Sequence, residues 1–319
     1  MTSPNVAPPK PLLLAAFGIV YIVWGSTYLA IRFAVETLPP FTMAGLRFFI
    51  AGLLLVAWTG SKGVERPTRV HWRTASIISG LMLVAGNGVL AWAEQTVPSG
   101  IAALLVAFVP VWMVILAAVR PGGTRPSRMV VLGLILGLLG LVLLIGPSQV
   151  VGGAGLDRIG AWAIVFAAFA WALGSVYAST APQHPSAFLS AGLQMVTGGA
   201  MLLVLGFLLG ERIAVATVTL QSALALAYLI VFGSIVAYTA YNWLLRNADT
   251  AKVSTYAYVN PIVAVFLGWG LAGEVLSVRV AVAAAIIVGA VALIITAKAR
   301  KGAATAPRRL RPRVPTEEY

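Results

Sequence analysis

The chain has 319 residues, of which 60% are hydrophobic and 10% charged, with no cysteine and a net charge of +13. An ordinary soluble domain is roughly 45–50% apolar and about 25% charged, so this composition is that of a membrane protein and excludes a soluble enzyme or a nucleic-acid-binding module. Without cysteine there are no disulfides, thiolate metal sites or thiol nucleophiles, and the basic residues read as membrane-orientation signals that need no nucleic-acid partner.

A membrane span needs about 20 predominantly apolar residues. Ten candidates follow in chain order, near 12–34, 40–59, 73–95, 99–119, 128–146, 157–179, 185–208, 217–245, 251–271 and 277–297. The first is longer than the roughly 7–15-residue core of a signal peptide and has no clear small-residue cleavage site behind it, so it reads as a retained helix. With the N-terminus in the cytoplasm, 17 of the 22 Lys and Arg fall on the inner side, among them Lys62, Arg66, Arg69, Arg73, Arg120, Arg125, Arg128, Arg246 and Lys252. Arg32, Arg47, Arg158, Arg212 and Arg279 fall on the outer side. The bias predicts both termini in the cytoplasm and favours ten spans over nine or eleven, either of which would split the basic 60–73 loop from the basic tail. The tail, 299–319, reads as a disordered segment in reach of anionic lipid.

The halves resemble each other in order. Gly25-Ser26-Thr27-Tyr28 returns as Gly174-Ser175-Val176-Tyr177, Gly45-Leu46 as Gly192-Leu193, Trp92 as Trp243 and Pro110 as Pro261. This predicts a first five-helix repeat over 1–150 and a second over 151–298. Five is odd, so the second repeat enters the membrane from the opposite side. The expected architecture is therefore an all-α membrane protein of ten transmembrane helices in two inverted repeats, a plan that places a carrier's substrate site at the midplane between the halves.

Several segments carry a family resemblance: Trp24-Gly25-Ser26-Thr27-Tyr28, Ala44-Gly45-Leu46-Arg47-Phe48, Val97-Pro98-Ser99-Gly100-Ile101-Ala102-Ala103-Leu104-Leu105, Asn260-Pro261 and Gly273-Glu274. In this order over 12–297 the chain resembles the drug/metabolite transporter superfamily, and within it the EamA-type ten-helix exporters. The resemblance implies a bacterial inner-membrane exporter of amino acids and related metabolites, the aromatic-amino-acid exporter branch included. One departure is visible: the family often has an acidic residue after the fourth span as well as the ninth, whereas here Thr124 or a neighbour stands opposite Glu274. A helix-capping or interface role for Glu274 then competes with a transport role.

Polar groups at membrane depth are costly unless paired or facing a watery cavity. Ser26, Thr27, Asn87, Gln194, Thr239, Asn242 and Asn260 are such groups. Tyr238 and Asn242 share a helix face, as do Asn87 and Ala91, and a small residue beside a polar one reads as cavity wall. Hydrogen bonding between packed helices is the competing reading. Trp58, Trp72 and Trp243 fall near the inner interface and Trp92, Trp162 and Trp269 near the outer one, as an aromatic belt requires. Trp24, Trp112 and Trp171 fall nearer mid-span, where they either pack or wall a substrate cavity; Trp24 and Trp171 are placed to flank one cavity from opposite halves. The candidate substrate-binding set is Trp24, Ser26, Tyr28, Asn87, Ala91, Trp112, Trp171, Tyr238, Asn242, Tyr258 and Asn260. Pro110 and Pro261 are candidate kinks or hinges. The charges Arg32, Glu36, Arg47 and Glu94 read as lying toward the outer side, with Arg32 and Glu36 in pairing distance along one helix. Proton coupling through Glu94 and facilitated or weakly coupled export both remain open.

His71 and His184 are the only histidines. They are placed in cytoplasmic loops, His-Glu-x-x-His and Walker sequences are missing, and no serine stands with both a His and a paired carboxylate in a nucleophile motif. The chain is therefore expected to be no enzyme, to hold no cofactor or metal, and to work as a monomeric secondary carrier whose partners are a small-molecule substrate and membrane lipid. Amino-acid export with broad specificity is the expected function. Export of other metabolites or drugs, and a passive channel, are the alternatives.

Overall fold

The computed structural model describes residues 8–97, 102, 105–120, 123, 125–145, 157–272 and 277–297, with the side chains of residues 28, 29, 32, 215, 264, 265 and 268–272 left aside. The described residues contain no strand. Their long helices are α1 (Lys10–Val35), α2 (Pro40–Ser61), α3 (Arg69–Ala93), α4 (Val109–Val119), α5 (Arg128–Ile145), α6 (Arg158–Ala178), α7 (Ala187–Leu208), α8 (Leu220–Asn247), α9 (Tyr256–Ala272) and α10 (Val278–Thr296). Seven of these, α1, α2, α3, α6, α7, α8 and α10, are long and apolar enough to cross a membrane. Large apolar side chains stand bare on the outside, Phe207, Trp162 and Val278 each more than 70% exposed. That is a surface for lipid, not water.

Local sequence explains where the helices start. Pro11, Pro40 and Pro110 occupy the first turns of α1, α2 and α4, where a missing N–H costs nothing. The side chains of Thr68, Ser127, Asp157, Ser186, Thr219 and Ser277 accept a backbone N–H at the starts of α3, α5, α6, α7, α8 and α10. The start at Pro110 corrects the expectation of a kink inside one continuous fourth span. Residues 105–106 are helical, 107–108 form a turn, and α4 begins after it. A proline ring clashes with the preceding turn of a helix but is at home in a first turn, so the chain breaks there rather than bending. Pro261 does lie within α9.

In α3 and α8 the middle of the helix widens into a π-helical segment, over Gly80–Gly88 and Leu229–Tyr238. Such segments are uncommon and gather at functional sites.

The packing has a reciprocal pattern. α2 lies on α7 and α5 on α10, while α1 packs on α8 and α9 as α6 packs on α3 and α4. At the α2–α7 crossing the correspondence reaches single residues. A Cβ at Gly52 would stand 2.5 Å from the Val196 backbone nitrogen, and one at Gly199 would overlap the Phe49 backbone; a Cβ at Gly45 would meet Leu203, and one at Gly192 would meet Val56. Contacting positions rise along α2 as they fall along α7, so the two helices are antiparallel. Missing side chains let their backbones come together, which is how helices associate where lipid removes the hydrophobic drive.

One end of this pair is tied by Glu211, whose carboxylate accepts from Phe41 N–H (3.1 Å), Thr42 N–H (2.7 Å) and Thr42 Oγ1 (2.6 Å). An anion there neutralises the free N–H groups at the start of α2. Glu211→Ala is expected to cost about 1–3 kcal/mol, the range for orphaning such donors, read as a lowered unfolding midpoint in detergent; Glu211→Gln should lose less.

The central core draws on α1, α2, α3, α4, α6, α7, α8 and α9, whereas α5 and α10 build a second cluster with parts of α4 and α9. The site lies in the first.

Candidate functional site

A cavity of about 100 Å³ lies where the central helices cross, room for several waters. α1 lines it with Trp24, Thr27 and Ile31, α2 with Arg47 and Phe48, α3 with Gly86, Asn87 and Leu90, and the start of α4 with Val109, Val106 standing just before it. From the second half come Ala167, Ala168 and Trp171 of α6, Gly233 and Tyr238 of α8, and Tyr256 and Asn260 of α9. Both π-helical segments deliver residues to it: Gly86 and Asn87 on one side, Gly233 and Tyr238 on the other.

One wall is aromatic and held rigid. Trp24 and Trp171 meet edge to face, ring centroids 5.7 Å apart, with Tyr241 at 4.9 Å and Tyr256 at 5.0 Å from Trp24. Trp24 Nε1 donates to the Gly233 carbonyl (3.2 Å) and Trp171 Nε1 to the Tyr241 hydroxyl (3.2 Å), which also bonds Ser175 Oγ (2.8 Å). Tyr238 donates to Gln194 Oε1 (2.9 Å). Asn260 turns its amide to donate to the carbonyls of Tyr256 (3.1 Å) and Tyr21 (3.2 Å). These bonds engage the polar atoms of the rings, and Trp24, Trp171, Tyr238 and Tyr256 line the cavity.

Two polar groups are not consumed. Asn87 hydrogen-bonds no described residue although it lines the cavity. Arg47 is 4% exposed, with Nε donating to Ser234 Oγ at 2.8 Å and the guanidinium carbon 4.8 Å from the Phe48 ring centroid. Among the described residues no carboxylate pairs with it. The absence of a side chain at Gly233 makes its room, since a Cβ there would stand 2.8 Å from one terminal nitrogen. Arg47 lies seven residues into α2, about 10 Å from its start at 1.5 Å per residue. A lone cation costs up to about 2.5–3.5 kcal/mol on insertion scales, the full value applying at the middle of a span.

Of the residues expected from sequence, Trp24, Asn87, Trp171, Tyr238 and Asn260 are brought together at this cavity. The others lie elsewhere. Ser26 bonds the Val23 carbonyl (2.7 Å) and Tyr228 (2.6 Å), on the face of α1 turned to α8. Asn242 sits buried below Tyr238, donating to its carbonyl at 3.0 Å. Tyr258 donates to the Leu134 carbonyl (3.3 Å) and packs over Gly137, joining α9 to α5. Trp112 packs edge-on against Phe169 at 5.4 Å. Ala91 is buried outside the lining, Pro110 starts α4, Pro261 lies within α9, and the side chain of Tyr28 is outside the described residues. Glu274 and the side chain of Arg32 are outside them too, so the pairing of Arg32 with Glu36 has no structural description.

Sequence reasoning missed Arg47, Tyr241 and Tyr256 as parts of this centre. Helical spacing held the signal: Tyr241 stands three residues after Tyr238 and Tyr256 four before Asn260, each one turn away. The same spacing puts Thr27 and Ile31, not Ser26, on the face of Trp24.

A second cavity, of about 290 Å³, is bordered by Arg120, Arg125, Arg246, Lys252 and Asp249. These charges stand at or beside helix ends.

Comparison with known proteins gives the architecture a lineage. The model of the EamA-like transporter family matches twice, over residues 11–146 and 158–296. The inner membrane transporter YedA of Escherichia coli K12 is 40% identical over 289 residues, covering 90% of this chain and 92% of the relative. A protein of Salmonella typhimurium named "Probable amino-acid metabolite efflux pump" is 26% identical over 272 residues, covering 81% of this chain and 86% of the relative. One crystal structure shares the fold with a TM-score of 0.73 at 23% identity, covering 89% of this chain and 96% of the other. With an all-helical body, an apolar outer surface and two matches to one family model, this chain belongs to the EamA-like transporter family and is a multi-pass membrane transporter.

Proposed function

We propose that the protein is a secondary carrier that exports amino acids, with broad specificity, across the bacterial inner membrane by alternating access around the Trp24–Trp171 cavity. The observation that carries this is the cavity itself: residues of both halves meet there, on helices that correspond between the halves, α1 with α6 and α3 with α8. In this reading ten spans form two inverted repeats with both termini in the cytoplasm. The double family match gives one unit per half. The antiparallel contacts of α2 and α7, each made once in either direction, are those that an inverted relation requires. A site between inverted repeats can open to one side as the halves rock against each other. The aromatic wall suits amphiphilic molecules of varied side chain.

Export and amino-acid cargo draw support from the name of the Salmonella relative, and the inner membrane from that of YedA. Other metabolites of similar size fit the same wall and form the second reading. Proteoliposomes of the purified protein, loaded with labelled amino acids, test it. Saturable release that speeds up when unlabelled amino acid is added outside is expected. Release that rises linearly without such acceleration would mean a channel, and saturable release confined to other metabolites would move the cargo but keep the carrier.

A further inference from the structure

We propose that Arg47 is the carboxylate receptor of this cavity, so that the transported molecule is an anion or zwitterion whose carboxylate docks on the guanidinium while its body lies against Trp24 and Trp171. The proposal rests on the carrier reading of the cavity and deepens it to a substrate class.

Three observations converge. Arg47 is buried and lines the cavity, yet no described carboxylate compensates it. Its one hydrogen bond to a described residue, from Nε to Ser234 Oγ at 2.8 Å, fixes the plane of the fork and uses a single donor of the five a guanidinium offers. The terminal nitrogens hydrogen-bond no described residue and are not sealed from the cavity. A purely structural strap between α2 and α8 would need only a neutral donor to reach Ser234. A fixed, desolvated fork with two free edges is instead the geometry that grips a carboxylate through paired N–H···O bonds.

Among the described residues, the cavity lining holds no acid. A cationic drug would meet Arg47 without a counter-charge, so the site discriminates against it. The ammonium of a zwitterion can lie over the indole faces of Trp24 and Trp171, which attract cations without carrying charge, and the uncommitted amide of Asn87 offers it a carbonyl. Gly233 completes the arrangement: its lack of a side chain leaves space for the guanidinium, since a Cβ would stand 2.8 Å from Nη2 and 3.2 Å from Thr27 Cγ2.

The test is isothermal titration of the full chain in detergent with phenylalanine, leucine and threonine, each as the free acid and as the amide. The free acids should bind at least about tenfold more tightly than the amides, a modest demand on a site built to bond the missing group. In Arg47→Gln that preference should fall to near unity, and in Arg47→Lys it should survive in weakened form. Gly233→Ala, which crowds the fork and keeps its charge, should weaken acids more than amides. The ligand-free unfolding midpoint of Arg47→Gln should equal or exceed that of the unsubstituted protein, because a charge without a partner has been removed; a structural ion pair would give a fall. Amides bound as tightly as acids, or a preference unchanged in Arg47→Gln, would overturn the proposal. Arg47-dependent binding of other carboxylates, such as lactate or benzoate, in place of amino acids would uphold it and overturn the amino-acid assignment. Binding of no carboxylate at all would overturn it, whatever flux the protein shows for neutral or cationic compounds.

Discussion

Gly199→Ala and Gly52→Ala are expected to destabilise the protein by about 1–3 kcal/mol each, the cost of overpacking a tight interface. The reason is what the new methyl would meet. At Gly199 it is the backbone nitrogen and Cα of Phe49, and at Gly52 the Val196 nitrogen at 2.5 Å and the Gly192 carbonyl at 2.8 Å. Backbone atoms have no rotamer by which to retreat, so α2 and α7 must move apart along their whole crossing. Both glycines lie within helices, where alanine is otherwise favoured by about 1 kcal/mol, and that gain is already set against the overlap. Gly289 on α10 is the control, because a Cβ there meets nothing within 4 Å. Gly289→Ala should leave the unfolding midpoint unchanged or raise it. Thermal unfolding of the three variants in one detergent checks the ordering; equal midpoints would mean that the α2 and α7 backbones do not touch at these glycines.

Trp171→Ala should carry the larger effect on transport. Trp171 forms one side of the cavity, lies edge-on to Trp24 at 5.7 Å and donates to Tyr241, and Gly86 leaves it space on the α3 side. Truncation removes a binding face worth about 1.4–2.8 kcal/mol, which corresponds to a roughly 10- to 100-fold fall in apparent affinity. It also frees Trp24 and Tyr241 to move. Trp171→Phe keeps the ring and loses only the N–H, so its affinity should stay within about tenfold of the unsubstituted protein. Concentration dependence of flux in proteoliposomes separates the two, since a lost wall raises KM whereas misfolding lowers the amount of active protein and leaves KM alone. Equal KM in all three proteins would place the substrate elsewhere.

Much of the fold was legible because the membrane simplifies the code. Long apolar runs can only be helices, and proline or a hydroxyl or carboxylate side chain marks their starts, as at Pro40, Thr68, Asp157 and Ser277. Hydropathy is blind to features that keep the same composition. The π-helical turns over Gly80–Gly88 and Leu229–Tyr238 change a hydrogen-bond register, not a pattern of apolar residues. Pro110 gave the opposite problem: the residue was visible, but whether it bends a helix or begins one depends on what the preceding turn does.

The site was half legible for a related reason. Trp24 and Trp171 stand out as bulky aromatics away from the interfaces, one and three residues before the Gly-Ser-x-Tyr that recurs in the two halves. Ser26, two residues from Trp24, turns its side chain 200° around the helix axis at about 100° per residue, toward Tyr228 rather than the cavity. Arg47 was read by depth alone, as one of several charges toward the outer side. Depth does not tell whether a cation has a partner, and the lack of a carboxylate partner among the described residues is what distinguishes Arg47 from a charge at the membrane edge.

The absence of cysteine makes the central claim directly measurable. A single cysteine replacing Ala168, a small residue of the cavity lining, would be exposed to membrane-impermeant thiol reagents from one side of oriented vesicles at a time. Alternating access predicts that the site is labelled from each side in separate experiments, that substrate shifts the balance between them, and that locking one side open abolishes labelling from the other. Labelling from both sides at once would mean a continuous pore, and protection from both sides under all conditions would mean that this cavity is packing and not a substrate chamber.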